Sequence, residues 1–311
     1  MLIELINIIA PVLIIASIGY VWVKRGIEFP TEFVTRINMN FGAPCLIFVG
    51  VLNLGSDLGT AAHFMFASFT SIFILLMAAI LYVFVFKLPK RGFIIALAST
   101  NSGNMGIPLC LFAFGQVGMS YAIAYFTVAA LFQFTVSLFI SHGNMHPASL
   151  LRVSLLWGIL AALFFIVSDI TPPLWLMNTT KLLAGVTIPL MLLTLGASLA
   201  RLKVIHFGKI LAISLSKIAM GMTIGISVAA LFGFEGVERN VLIMQMSMPV
   251  AVFSYLLASK YNRNPEEVAS LIFITTLITI ITVPMMILFL FGADPDNYSS
   301  FSLTHCFSSF N

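Results

Sequence analysis

Charge is what this sequence has least of. Only 8% of its 311 residues are Asp, Glu, Lys or Arg, against about a quarter in ordinary soluble domains. With 60% hydrophobic residues and a mean hydropathy of +1.09, that scarcity excludes a water-exposed globular surface and makes the chain an all-α integral membrane protein. Acidic groups are scarcer still at depth. The four aspartates, Asp57, Asp169, Asp294 and Asp296, fall in connections or in the tail. No nucleophile stands beside a recognisable base, so intramembrane catalysis finds no support and the chain is not read as an enzyme. Three cysteines, Cys45, Cys110 and Cys306, form neither a disulfide framework nor a metal spacing. His142 and His146 stand four apart beside Gly143 and Pro147, without a third ligand, which argues against a metal site. No Gly-rich phosphate loop ends in Lys, which excludes a nucleotide-driven pump, and no cofactor motif is present. The basic residues are dispersed in twos and threes, a pattern of loops beside a lipid bilayer rather than of nucleic-acid binding.

What the chain has in abundance is apolar runs. Ten are long enough to cross about 30 Å of hydrocarbon, near residues 2–23, 34–54, 62–86, 93–114, 119–140, 150–167, 174–199, 207–231, 241–259 and 268–291. The first has no basic start, carries Glu4 and runs long before Lys24 and Arg25, so it reads as a retained span rather than a signal peptide. Lys and Arg concentrate in the odd-numbered connections (Lys24, Arg25, Arg36; Lys87, Lys90, Arg91; Arg152; Arg201, Lys203, Lys209; Lys260, Arg263), while the even-numbered ones hold only Arg239. That asymmetry puts the odd connections on the cytoplasmic side and both termini outside, in a plasma membrane of bacterial inner-membrane type. The polar, Ser-rich stretch 292–311 is a tail.

Two sets of five crossings would place a second copy of a unit upside down. The prolines fit such a repeat, one copy spanning 1–140 and the other 149–291. Pro44 and Pro108 lie 64 positions apart in segments 2 and 4, and Pro189 and Pro249 lie 60 apart in segments 7 and 9. Gly-Ala-Pro-Cys-Leu-Ile-Phe around Pro44 matches Thr-Ile-Pro-Leu-Met-Leu-Leu around Pro189 in character. Inverted repeats with interrupted helices at corresponding positions are the sequence mark of a secondary transporter with a midplane site.

Segment 4 carries the sharpest feature. Asn101-Ser102-Gly103-Asn104-Met105-Gly106-Ile107-Pro108 packs two asparagines, two glycines and a proline into an apolar run. Gly103 and Gly106 alone would serve close helix packing, which does not call for the asparagines. Prolines 108 and 249 are expected to divide segments 4 and 9 into half-helices, because proline lacks an amide and crowds the preceding turn. Each second half then begins with free amides that favour an anion. Asn101, Asn104, Gly106 and Pro108, with Gln245, Ser247 and Pro249 on the other approach, are the candidate substrate-binding residues, and Gly103, Pro44 and Pro189 the candidate hinges or breaks. Lys217 joins the candidate site. It lies about 15 Å into segment 8 at 1.5 Å per residue, too deep for easy snorkelling, on one face with Ser214 and Gly221. It could pair with a substrate carboxylate or sit against free carbonyls of a broken helix. Lys181, nearer an end, is read as snorkelling, Gln133 as a bridge between helices, and Glu4 and Asn7 as interfacial.

The segment 4 stretch, continued by Phe114-Gly115-Gln116, resembles the crossover of the auxin efflux carrier family, which includes plant PIN-type exporters and bacterial organic-acid carriers. The likeness extends through Phe132-Gln133, Pro249, Ala258, Lys260-Tyr261-Asn262 and Pro265. It implies crossed broken helices 4 and 9, with Asn101, Pro108 and Pro249 at the anionic-substrate site. It also implies a scaffold of helices 1, 2, 6 and 7, a transport domain of helices 3–5 and 8–10, an elevator-like motion and a homodimer. Two departures stand out. Only a short connection joins segments 5 and 6, and segment 3 carries no Asp, Glu or Lys before Lys87, so a small mono- or dicarboxylate is a better expectation than auxin itself. The competing readings are a sodium-coupled organic-anion symporter of the bile-acid type, for which no carboxylate is at hand, and a channel or receptor, for which neither a charged pore nor an extramembrane domain is visible.

Overall fold

The computed structural model of the protein describes residues 2–53, 58–137, 139–140, 154–202 and 204–292. His142, His146, Asp57, Lys203, Cys306 and the tail from 293 lie outside the described residues. The described chain is helical: α1 (Leu2–Lys24), α2 (Thr31–Ile37), α3 (Ala43–Asn53), α4 (Leu58–Val85), α5 (Lys90–Ala98), α6 (Ile107–Phe132), α7 (Ser154–Val167), α8 (Leu174–Arg201), α9 (Phe207–Leu231), α10 (Gly236–Met246), α11 (Val252–Lys260) and α12 (Pro265–Gly292). Widened π-helical turns cover Asn38–Gly42, Ser102–Gly106 and Gln133–Ser137. Seven helices among the described residues are long and apolar enough to cross a bilayer, and α7 is a shorter apolar helix. No regular strand forms among the described residues.

The prolines behave differently from one another, and two expectations are corrected. Pro189 does not break its helix, since α8 runs without interruption from Leu174 to Arg201. A proline removes one rung, that of the carbonyl four residues earlier. Here that carbonyl belongs to Gly185, where a Cβ would meet nothing within 4 Å, so the missing rung falls on an open face and the helix runs on through it. Pro44 does not divide its helix either. The π-turn Asn38–Gly42 precedes it directly and α3 continues to Asn53. A wider turn draws the crowding carbonyl away from the proline ring and leaves its missing amide without a rung to lose.

Packing falls into two groups. α8 lies against α1 and α3, and α3 against α7; α4, α5, α6 and α9 to α12 pack together; between the groups α1 and α3 touch α6, α8 touches the turn Ser102–Gly106, and α1 touches α12. Glycine sets the closest approach in the first group. A Cβ on Gly196 of α8 would stand 1.7 Å from the Ala16 carbonyl of α1, and one on Gly19 of α1 would stand 2.1 Å from the Leu193 carbonyl, so the two backbones touch. Membrane helices associate through such contact because lipid offers no hydrophobic drive between them. The outward faces are what lipid accepts, with Ile14, Phe69, Leu81, Trp157, Leu182 and Ile281 exposed.

Gly196→Leu is expected to force α1 from α8 at about 1–3 kcal/mol, lowering the unfolding midpoint of the detergent-solubilised protein by several degrees. Gly208→Ala, where nothing stands within 4 Å, leaves it in place. Thermal melts of the two variants beside the parent make the comparison.

Candidate functional site at the meeting of two interrupted helices

Two breaks meet inside the bundle. α5 ends at Ala98, Ser99 turns to extended backbone (φ −103°, ψ 126°), and Asn101 (φ −78°, ψ 51°) leads into the π-turn Ser102–Gly106. α10 ends at Met246, and Ala251 (φ −65°, ψ 132°) leads into α11. Between them Thr100 and Val250 pair as an isolated antiparallel bridge. The Asn101 amide donates to the Pro249 carbonyl at 2.7 Å, and the Ala251 amide to the Ser99 carbonyl at 3.3 Å. The Val250 amide donates to Thr275 Oγ1 of α12 at 3.2 Å. Each break thus satisfies groups that the other exposes, and α12 supplies a further acceptor.

The first break is not where the proline pointed. Pro108 was expected to divide its helix, yet it sits second in α6, behind the π-turn, and the chain parts at Ser99–Asn101. The reason is the one at Pro44. Asn104-Met105-Gly106-Ile107-Pro108 and Asn40-Phe41-Gly42-Ala43-Pro44 share the pattern Asn-x-Gly-x-Pro, and in both a five-residue π-turn ends on the glycine. In the first turn of a helix a proline loses nothing. Pro249 lies inside its break as expected. Gly115 (φ 65°, ψ −156°) divides α6 into the end of segment 4 and most of segment 5.

Asn101 is 4% exposed, and its Nδ2 has no partner among the described residues. Gln245 is buried; its Nε2 reaches the Ala122 carbonyl at 3.5 Å and its Oε1 has no partner. A Cβ on Gly106 would stand 2.1 Å from that Oε1, so only glycine lets Gln245 lie across the π-turn. On Gly103 the Phe126 ring would be 2.7 Å away. Ser247 Oγ donates to the Ile243 carbonyl at 2.7 Å, and Asn104 is half-buried. Lys217 of α9 is 0% exposed and donates from Nζ to the Met248 carbonyl, within the second break, while Gly221 one turn on lies against the Met246 carbonyl. The structure therefore brings together Asn101 with Pro249, Gly106 with Gln245, and Lys217 with the backbone next to Pro249. Pro44 and Pro189 belong to the other group of helices, where Thr187 faces Gly42.

Several participants escaped the sequence. Thr275 lies in an uninterrupted apolar helix and shows nothing in one dimension. Tyr125 donates to Met246 Sδ at 3.1 Å and stands 3.4 Å from Thr100 Oγ1 across the crossing. Ser99 and Gln133 line a narrow cleft beside the break together with Ile72, Ala98, Thr100, Ala129 and Phe132. Both Ser99 Oγ and Gln133 Nε2 are buried there without a partner, where Gln133 was read only as a bridge between helices. The hydroxyl pair Ser99-Thr100 ahead of Asn101 was the available signal, since both residues compete with helical bonding.

Chemically, the crossing places the amide ends of two half-helices beside the buried side-chain amides of Asn101 and Gln245 and the ammonium group of Lys217.

The Membrane transport protein family pattern matches residues 5–149 and again residues 139–287. The chain belongs to this family, that of the auxin efflux carriers. An uncharacterized transporter of Methanocaldococcus jannaschii is 26% identical over 301 residues, covering 90% of this chain and 96% of that protein. One of Methanothermobacter thermautotrophicus is 24% identical over 289 residues, covering 88% of this chain and 94% of that protein. This auxin efflux carrier relative is thus a membrane transport protein with a pair of interrupted helices at its centre.

Thr275→Val removes the acceptor of the Val250 amide while keeping the side-chain volume. An orphaned buried amide costs about 1–3 kcal/mol, so a lower melting point and faster amide exchange across residues 247–251 are expected. Thr279→Val, whose hydroxyl only donates to its own helix at 2.7 Å from the Thr275 carbonyl, should change neither.

Proposed function

We propose that this chain is a secondary or facilitative carrier that moves a small organic anion, a mono- or dicarboxylate, across a bacterial-type inner membrane. The observation that carries this reading is the meeting of the two breaks at Thr100 and Val250, with the buried Asn101 Nδ2 left without a partner among the described residues. Backbone is left irregular at membrane depth only where protein buries it or a polar cavity is lined, and an unpartnered donor beside free helix-start amides suits a carboxylate. In this reading Asn101, Asn104, Gly106, Pro108, Gln245, Ser247 and Pro249 surround the substrate, and neutral amides hold it loosely enough for release.

The architecture we propose has ten crossings in two inverted five-segment repeats, with both termini outside. Helices α1, α3, α7 and α8 would form a scaffold, and α4 to α6 with α9 to α12 the moving body, which would carry the site between the two faces. The division of packing into those two groups supports this. A homodimer through the scaffold accords with the exposed apolar faces of α1 and α8, where Ile14, Ile18, Leu182 and Val186 lie uncovered.

Purified protein in liposomes should exchange labelled carboxylates above the rate of protein-free vesicles, with sodium, pH and potential varied one at a time. A panel of mono- and dicarboxylates giving no flux above that rate would end the proposal, and flux that requires sodium would favour a symporter. Asn101→Ala should weaken transport affinity about 10- to 100-fold, the loss of a hydrogen bond to a charged group. Its melting point should hold, because Asn101 Nδ2 bonds nothing among the described residues. Undiminished affinity in that variant would remove Asn101 from the site.

A further inference from the structure

The carboxylate reading says that the crossing attracts negative charge, and the charge inventory around it says how much. Four half-helix ends converge there. α5 and α10 arrive with their carbonyl ends, at Ala98 and Met246, while the turn from Ser102 and α11 from Val252 leave with their amide ends. Each end is equivalent to about half an elementary charge, negative for carbonyl ends and positive for amide ends, so the four cancel. What remains is Lys217. It is the one Asp, Glu, Lys or Arg fully buried among the described residues. The other charges of the same helices stand near the ends: Lys209 of α9 pairs with Glu267 of α12 at 3.5 Å, Glu238 of α10 accepts from Tyr121, and Lys260 closes α11. Lys181 of α8 is exposed. Among the described residues no carboxylate stands on Lys217, whose partner is the Met248 carbonyl. A cation held in a dry interior against one carbonyl is incompletely neutralised.

We infer that Lys217 is the fixed counter-charge of the carrier: it makes the substrate-loaded crossing electrically neutral for a monoanion, and so sets a preference for singly over doubly charged carboxylates. This rests on the carrier reading above and deepens it. Lys217 acts at the Met248 carbonyl and through its field, as a positioning and charge-setting residue. With a monocarboxylate bound, the crossing moves with no net charge; empty, it returns carrying one positive charge. A dianion would leave the loaded crossing with one negative charge. A full charge moved through the membrane feels about 50-fold in equilibrium per 100 mV, so the two cases separate cleanly by voltage.

The test uses liposomes with potassium gradients and valinomycin, with lactate, pyruvate and benzoate as monocarboxylates and succinate at pH 8 as the dianion. Homo-exchange of a monocarboxylate, which cycles only the loaded body, is expected to change by less than about twofold over about 100 mV, while net efflux, which needs the empty return, changes about tenfold or more. Succinate should exchange at least about tenfold more slowly than the best monocarboxylate, the scale of one uncompensated charge. Lys217→Met should reverse the pattern, with voltage-sensitive monocarboxylate exchange and voltage-insensitive empty return, and Lys217→Arg should keep the parent's pattern. A residue that only props up the fold would lower rates without moving voltage dependence from one step to the other. Monocarboxylate exchange in the parent as voltage-sensitive as its net efflux, or succinate exchanging as fast as the monocarboxylates, overturns the inference and leaves the carrier reading standing. No exchange of any carboxylate overturns both. If the Met variant does not fold, the parent measurements decide alone.

Discussion

Backbone amides and carbonyls at membrane depth must find partners inside the protein, and nearly every feature at the centre of this molecule follows from that one requirement. Two helices stop short in the middle of the bundle. Neither break could stand alone, because each exposes a donor and an acceptor in a medium that offers neither. They stand together because the Asn101 amide reaches the Pro249 carbonyl and the Ala251 amide reaches the Ser99 carbonyl, with Thr275 taking the Val250 amide. The close packing around them is what brings these groups within bonding distance. Gly106 admits Gln245, and Gly221 admits the Met246 carbonyl. A larger side chain at either place would part the elements whose backbones need each other.

What those bonds leave over is as informative as what they consume. Asn101 Nδ2, Gln245 Oε1, Ser99 Oγ and Gln133 Nε2 are buried and remain without partners among the described residues. A protein selected for stability alone would fill or remove such groups, since each unpaired buried polar atom is destabilising. In the carrier proposed above, the same groups would be the reserve from which a transient ligand is held. Lys217 braces the break through the Met248 carbonyl.

The prolines mark how far one dimension reaches. Pro44, Pro108, Pro189 and Pro249 look alike in sequence, each inside a strong apolar run, yet only Pro249 lies in an open break. A π-turn ahead of Pro44 and Pro108 absorbs the missing amide, and at Pro189 the missing rung falls beside Gly185 on an open face, where the helix runs on. A proline states that one rung is absent; the neighbouring turn decides whether the helix parts. The location of the crossing was nonetheless legible, because Asn101 and its glycines are out of place in an apolar run whatever the exact residue at which the chain leaves the helix.

By itself the sequence determined the class and the candidate centre. Sparse charge and long apolar runs leave few alternatives to a helical membrane protein, and a polar, glycine-rich interruption at membrane depth marks irregular backbone, because both are local consequences of hydrocarbon being a poor solvent for polar groups. Tertiary structure alone decided which groups complete that centre. Thr275, Tyr125, Ser99 and Gln133 join it, and Lys217 finds the Met248 carbonyl, through contacts between helices far apart in the chain. Such partnerships depend on distance in space, which a hydroxyl or an amide in an apolar run does not record.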